Sequence, residues 1–385
     1  MPLVAKIIHY NYRLLKNILH LSFLITTTLL FLSYYSTYLH PQTFILLPFL
    51  ALSFPLFLII NLFWILFFAI SLQFKRLLIA LAILIFFIPQ LKTFYNIHWA
   101  KNTKPSKHTL SVLSFNVKLF DLYNWQHNNI TRKKILQYLQ QHPADIMCFQ
   151  EFYTSEDTND FNNLEELKKL FPNYYFHQEY FVTLRKNDHW GLLTMSKYPI
   201  LKKSVIHFNT SKNNGCLYSD ILFGQDTIRV FNLHLQSYSL YKKKKWKPHQ
   251  KDNNENFFEA LDTSAKGFNL IEKIYYNNIL KTQQIESILK ITSTTYYPTL
   301  LVGDFNDLPH TYLMRQIKKA GFTDAFVEQG NGFGITYHDK ILLRIDYIFT
   351  NKNFQILDFI TENNPQTQYI SDHYPIRCLL ELKRN

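Results

Sequence analysis

The sequence predicts an α/β domain of sheet-sandwich type preceded by an all-α transmembrane anchor. Three observations carry that prediction. From Asn17 to Phe74 there is no Asp, Glu, Lys or Arg, a run of 58 residues. Beyond a basic linker, apolar β-rich runs alternate with helical patterns. Charge divides at the same place: residues 1–107 hold nine Lys and Arg and no acid, and the first acid is Asp121. The implied boundaries are 1–100 for the anchor, 101–108 for the linker and 109–385 for the α/β domain.

A bilayer core needs about 20 apolar residues per helix. Helices are expected at about 18–39 and 44–72, joined at His40-Pro41-Gln42. Pro48 and Pro55 fall inside the second, which helices packed in lipid tolerate. A third run, Leu77–Leu91, has only 15 residues. It reaches about residue 97 if Lys92 snorkels to the interface. Tyr34, Tyr35, Tyr38, Tyr95 and Trp99 sit near the expected ends, as interfacial aromatics do. The uncharged stretch is several times too long for a cleaved signal peptide, and a soluble core of this composition is hard to solvate. Lys6, Arg13 and Lys16 precede the first helix and Lys75-Arg76 the third, so the positive-inside rule puts the N-terminus in the cytoplasm. Three crossings make a multi-pass protein with its C-terminal domain on the extracytoplasmic face. An interfacial third helix puts that domain in the cytoplasm instead.

Past the linker Lys101–His108, candidate strands are Leu110–Phe120, Asp145–Gln150, Gly191–Met195, Val205–Phe208 and Ser219–Phe223. Ile228–Gln236, Thr299–Gly303, Asp346–Thr350 and Arg377–Leu382 complete the set. Helical spacing marks Arg132–Gln141, Leu164–Leu170, Ile279–Ile291 and Tyr312–Ala320. Ser237–Asn278 has no strand pattern and carries Lys242–Lys245 and Lys247 around Trp246. It reads either as a solvated insertion or as a basic loop over an anionic substrate or a membrane surface.

Composition excludes several chemistries. The chain of 385 residues has a net charge of +13, yet residues 108–385 hold 32 basic against 28 acidic residues, a net of +4. That is not the broad basic face of a dedicated duplex-DNA binder. There are nine Gly, the first at Gly191, so no Gly-rich phosphate loop precedes it. Cys148, Cys216 and Cys378 form no CxxC pair, which argues against a zinc ribbon or a disulfide scaffold.

The chemistry sits where apolar strands stop at a polar residue: Ser114-Phe115-Asn116, Cys148-Phe149-Gln150-Glu151, Asn232-Leu233-His234, Gly303-Asp304-Phe305-Asn306, Arg344-Ile345-Asp346-Tyr347 and Ser371-Asp372-His373. One Asp or His after a strand is usually a turn residue. Six strand ends offering acids, amides and imidazoles in complementary roles point to a shared site, and α/β proteins bind ligands beyond strand ends.

This set resembles the endonuclease/exonuclease/phosphatase superfamily, the DNase-I-like fold, over about residues 108–385. The Gly-Asp-Phe-Asn tetrapeptide, the terminal Ser-Asp-His and the Asn-x-His carry the resemblance. Lys197, in Ser196-Lys197-Tyr198-Pro199, replaces the Arg usual there. The resemblance implies a four-layer αββα sandwich and hydrolysis of phosphoric ester bonds with Mg²⁺, or Mn²⁺ in its place. Glu151 is then the direct metal ligand with Asn116 beside it, and Asp372 contacts that metal or a second one; Mg²⁺ prefers such hard oxygen donors. His373, whose ordinary pKa lies near neutrality, suits base or phosphate-contact work, oriented by Asp346. Asp304 orients or deprotonates the attacking water, or protonates the leaving oxygen. Asn306 and His234 donate hydrogen bonds to phosphoryl oxygens, with Asn232 supporting His234.

The expected function is a membrane-tethered phosphodiesterase, nuclease-like or lipid-phosphodiesterase-like. Its partners are the bilayer and a phosphodiester, a lipid headgroup or nucleic acid, with no obligate protein partner. The alternatives are a phosphomonoesterase of phosphoinositide-phosphatase type and a non-catalytic membrane scaffold that binds phosphorylated ligands.

Overall fold

The computed structural model describes residues 2–99, 106, 108–128, 130–156, 161–184, 186–208, 213–238 and 270–383. The lysine-rich run Lys242–Lys247 and most of the linker lie outside them. The described residues fall into two units. One holds 2–91, 270–278 and 310–315, and the other holds the rest.

Through Leu91 the first unit is helical: α1 (Pro2–Ser36), α2 (Leu47–Leu52), α3 (Phe54–Ile70), α4 (Phe74–Phe86) and α5 (Ile88–Leu91). The first helix therefore starts earlier than the expected residue 18. Its segment His9–Ser36 has 28 residues, of which the most apolar stretch is 11% buried. At about 1.5 Å per residue that segment is ample for a bilayer core of about 30 Å. The continuous helix expected at 44–72 is two helices meeting at Ser53. Pro48 and Pro55 each occupy a first-turn position, where a missing N–H breaks no hydrogen bond. The third helix, α4, has 13 residues, and residues 92–97 are not helical. Among the described residues α1 alone is long and apolar enough to cross a membrane, and α3 has 17 residues.

The polar residues where α1 meets α3 satisfy one another: Thr27 donates to Asn61 Oδ1 at 2.8 Å and Trp64 Nε1–H donates to Thr26 Oγ1 at 3.0 Å. On the outside, Leu21, Leu24 and Leu32 of α1 and Leu56, Phe63 and Leu66 of α3 are exposed.

The second unit is built on two six-stranded sheets. Their strands are β1 (Thr109–Asn116), β2 (Ile146–Ser155), β3 (Tyr175–Leu184), β4 (Asp188–Ser196), β5 (Ile200–His207), β6 (Gly215–Phe223), β7 (Asp226–His234), β8 (Thr299–Asp304), β9 (Thr323–Asp324), β10 (Asp346–Thr350), β11 (Phe354–Thr361) and β12 (Ile376–Leu382). One sheet has the order β11-β12-β1-β2-β4-β3, the other β5-β6-β7-β8-β10-β9. Both are mixed: β1 pairs parallel with β2 and antiparallel with β12, and β7 pairs parallel with β8, which is antiparallel to β10. The remaining helices are α6 (Thr131–Gln141), α7 (Asn163–Leu170), α8 (Leu270–Thr292), α9 (Tyr312–Lys319) and α10 (Ala325–Gln329).

Strand alternation explains the layers. Successive side chains point to opposite faces. Leu110 and Val112 of β1, Ile146 and Cys148 of β2, Ile228 and Val230 of β7, Leu300 and Val302 of β8 and Ile348 of β10 share one buried cluster between the sheets. The intervening Leu113 and Phe115, Met147 and Phe149 pack instead with Ile135 and Leu139 of α6 and Leu164 and Leu167 of α7. Each such side chain contributes about 1.5–3 kcal/mol on burial. The three cysteines are free and buried, as expected of small core residues.

Candidate active site

Continuing each inter-sheet stripe by the same period of two builds the site. On β1 the stripe runs Leu110, Val112, Ser114, Asn116; on β2, Ile146, Cys148, Gln150; on β7, Ile228, Val230, Asn232, His234; on β8, Leu300, Val302, Asp304. The first members are apolar and the last are polar. Strand β10 runs the other way and starts at the same end with Asp346. Register then aligns the tips: Asn116 with Gln150, His234 with Asp304, and Asp346 with Asp304. The sandwich core thus ends in a polar layer rather than in solvent.

Asp304 is the hub. Its Oδ2 accepts from Asn116 Nδ2 at 3.1 Å and lies 3.7 Å from His234 Nε2 and 3.9 Å from His373 Nε2. Its Oδ1 accepts from the Asn306 N–H at 2.8 Å. Burial, and next the neighbouring Asp346 carboxylate, push the Asp304 pKa up against the opposing pull of His373. His373 Nδ1 is 2.8 Å from Asp346 Oδ2. Asp346 is anchored by its own N–H, which donates to Thr336 Oγ1. Burial pushes the His373 pKa down, but Asp346, then Asp304 and Asp372, outweigh it and raise it to about 10.

Glu151 reaches the site by breaking the alternation. Strand β2 bulges between Phe149 and Phe152, and Glu151 adopts a left-handed φ of 48°. Strict alternation would place it beside Phe149, against the helices. The bulge turns its carboxylate to 3.9 Å from His234 Nε2. Bulges commonly re-aim a side chain beside active sites.

The other expected site residues divide. Asn232 is wholly buried. Its Nδ2 donates to Leu193 O, Phe149 O and Thr194 Oγ1, and its Oδ1 accepts from Gln150 Nε2 at 2.8 Å. It therefore ties the two sheets together two residues before His234. Asn306 has a left-handed φ of 51° and spends one amide hydrogen on Leu235 O at 2.9 Å, which leaves a second to donate. Asp372 pairs with Lys118 Nζ at 2.9 Å. Burial would raise its pKa, but His373 and Lys118 hold it below the usual range. Arg344 lies away from the hub, bidentate on Asp324.

Hard oxygen donors fit a divalent cation here. The Glu151 carboxylate has no hydrogen-bond partner among the described residues, and Asn116 Oδ1 accepts only the Lys118 N–H, at 3.1 Å. Asp304, Asp346 and His373 also bring ligand atoms within 4.8 Å of one another. Because His373 Nδ1 and Asp346 Oδ2 already lie within hydrogen-bond distance of each other, that trio is better arranged as a relay than as a cage.

Sequence reading missed three neighbours. Tyr337 packs its ring edge-on to His373, 5.2 Å between centroids. Lys118 sits two residues past Asn116 in a loop with positive φ at Lys118, Leu119, Phe120 and Asp121. Lys281 of α8 is fully buried beside the Asp304–Asp307 turn. A cation within the apolar stripe Ile274, Lys281, Ile285, Ile288 was the legible signal for the last.

Solved structures with this fold include an endonuclease/exonuclease/phosphatase from Bacteroides vulgatus, at 16% identity and a TM-score of 0.52, covering 71% of this chain and 99% of that one. A family protein from Bacteroides thetaiotaomicron matches at 16% identity and a TM-score of 0.51, covering 73% and 100%. No curated protein matches the chain. A domain of unknown function matches residues 16–94. The profile of the endonuclease/exonuclease/phosphatase family matches residues 113–373, and by that span, together with the fold, the chain belongs to this family.

Proposed function

We propose that the chain is a membrane-tethered, divalent-metal-dependent phosphodiesterase. The observation that carries the reading is the convergence of Asn116, His234, His373 and the Asn306 N–H on one buried carboxylate, Asp304. A carboxylate with a raised pKa is suited to take a proton from water near neutral pH. His373, held as an imidazolium by Asp346, donates from Nε2 to a phosphoryl oxygen. His234 and the free amide hydrogen of Asn306 donate to the same group, and these bonds strengthen as charge develops there. The water oxygen attacks phosphorus as its proton passes to Asp304, the ester P–O bond breaks, the leaving oxygen takes a proton from solvent, and Asp304 returns its own to solvent.

Glu151 and the Asn116 carbonyl would hold the cation, Mg²⁺ or Mn²⁺, with Asp372 freed to join them if Lys118 moves. When bound, the cation neutralises phosphoryl charge and polarises the bond to be broken. The tether is α1, supported by its length and by the exposed apolar residues of α1 and α3. One crossing by α1, with Lys6, Arg13 and Lys16 on the cytoplasmic side, would put the catalytic unit on the extracytoplasmic face; the multi-pass arrangement would need α4, of only 13 residues, to cross as well. Tethering favours a lipid or another surface-bound diester.

The test is hydrolysis of bis(4-nitrophenyl) phosphate and 4-nitrophenyl phosphate with and without Mg²⁺. The diester should be cleaved only with the metal. Glu151→Gln should lower kcat at least about 100-fold and weaken Mg²⁺ binding measured by calorimetry. Preference for the monoester would make the chain a phosphomonoesterase, and no turnover of either would leave a binding scaffold. On natural substrates, nuclease activity should fall steeply between low and physiological salt, whereas cleavage of a zwitterionic lipid headgroup should not.

A further inference from the structure

We propose that Lys281 is a positioning residue that holds the Asp304–Asp307 turn, and with it Asn306, in the shape the reaction needs. The proposal rests on the active-site reading above. Lys281 is 0% exposed. Its Nζ donates to the Asn306 backbone carbonyl at 2.7 Å, lies 3.3 Å from Asp307 Oδ1 and sits 3.3 Å from the centroid of the Tyr238 ring. An ammonium has three hydrogens, and three groups surround this one.

Each partner belongs to the turn or braces it. Asp307 Oδ1 also accepts from the Tyr238 hydroxyl at 2.9 Å and the Leu308 N–H at 3.0 Å, while Oδ2 has no partner among the described residues. Tyr347 donates its hydroxyl to the Asp307 carbonyl at 2.9 Å. A buried ion pair seldom stabilises a fold more than apolar packing of the same volume. This one fixes the direction of the peptide that follows Asn306, the residue in the left-handed conformation. Burial lowers the Lys281 pKa to about 8, with Asp307 and Asp304 opposing the fall, so the group keeps its proton at neutral pH.

A second contact on the same helix face extends the argument. Residues three apart on a helix are neighbours. Gln284, one turn past Lys281, accepts the Gln236 N–H on Oε1 at 2.9 Å. Gln236 lies two residues beyond His234. One face of α8 therefore grips both segments that leave the site, the one after β7 and the one after β8.

The test uses the full chain in detergent with three variants: Lys281→Arg, Lys281→Met, and Lys281→Met combined with Asp307→Asn, which leaves no buried carboxylate unpaired. Amide hydrogen exchange over residues 305–308 reads the turn. kcat and KM on bis(4-nitrophenyl) phosphate with Mg²⁺ read the reaction. The double variant should melt close to the parent, exchange faster over 305–308 with β8 still protected, and lose about 10–100-fold in kcat with KM within about threefold. Lys281→Arg should recover part of that loss. Lys281→Met should add little to Asn306→Ala, because residues acting through one group are not additive.

Unchanged exchange over 305–308, or full additivity with Asn306→Ala, overturns the proposal. Should the double variant not fold, Lys281→Arg and Lys281→Gln are read in the same way. If the parent cleaves no phosphoester at all, the active-site reading fails, and the exchange result still decides whether Lys281 holds the turn.

Discussion

Burial alone would leave the His373 imidazole neutral; the carboxylates of Asp346, Asp304 and Asp372 keep it charged. That balance gives a pH prediction. An imidazolium that must donate from Nε2 is active below its pKa and loses activity as pH rises through it, here about 10. Asp346→Asn removes the largest of the raising influences while burial remains, so the pKa should fall toward the ordinary value of about 6.5. The alkaline limb of kcat/KM at saturating Mg²⁺ should then move from above pH 9 in the parent to the neutral range in the variant. A limb that stays in place would remove His373 from the role assigned to it. At this scale the polar tips of the central strands were legible, because a strand's period of two is carried by the sequence itself. The Lys118–Asp372 pair and the Lys281–Asp307 pair were not. Their members lie far apart in the chain or in a loop of left-handed residues, and only the folded register brings them together.

Gly303 is where two elements depend on one missing atom. A Cβ there would sit 2.1 Å from the Leu233 carbonyl oxygen of the neighbouring strand, and its φ of 140° disfavours any side chain. Gly303→Ala should therefore push β8 from β7, separate His234 from Asp304, lower stability by more than about 2 kcal/mol and cost most of the activity. Gly224 has nothing within 4 Å of the same added atom and a φ of 65°, so Gly224→Ala should cost only about 1 kcal/mol and leave turnover intact. Urea unfolding and diester turnover of both variants separate a close strand approach from backbone strain alone. The strands that escaped sequence reading share a position. Strands β3 and β11 are the two edges of one sheet, and β9 and the first half of β5 lie at the edges of the other. Edge strands are often charged or irregular: β5 reads Ile-Leu-Lys-Lys-Ser-Val-Ile-His, and β11 breaks register between Ile356 and Asp358. Central strands, covered on both sides, carry the apolar runs that make them visible. The predicted strand Leu110–Phe120 ran past Asn116 for a related reason: Val117, Leu119 and Phe120 are apolar, but Leu119 and Phe120 turn left-handed to close the loop.

On the scale of the whole chain, the uneven placement of charge bears on the membrane tether proposed above. Two physical attachments are open to it. The nine cations of residues 1–107 could bind an anionic surface, each worth about 1 kcal/mol, an attraction that salt screens within about 10 Å at 0.1 M. Insertion of α1 instead depends on apolar area and is indifferent to salt. Leu21 and Leu24 lie near the middle of His9–Ser36 and are 58% and 62% exposed, which suits lipid contact and not water. An arginine at the bilayer centre costs about 2.5–3.5 kcal/mol on insertion scales, so Leu21→Arg with Leu24→Arg opposes crossing by about 5–7 kcal/mol. If insertion holds the chain, the parent should stay with membranes through both 1 M salt and alkaline carbonate, and the double variant should not. Its turnover of a soluble diester, per folded molecule, should match the parent, because neither leucine belongs to the catalytic unit. Release of the parent by salt alone would assign the attachment to surface charge and leave α1 as a helix packed against something other than lipid.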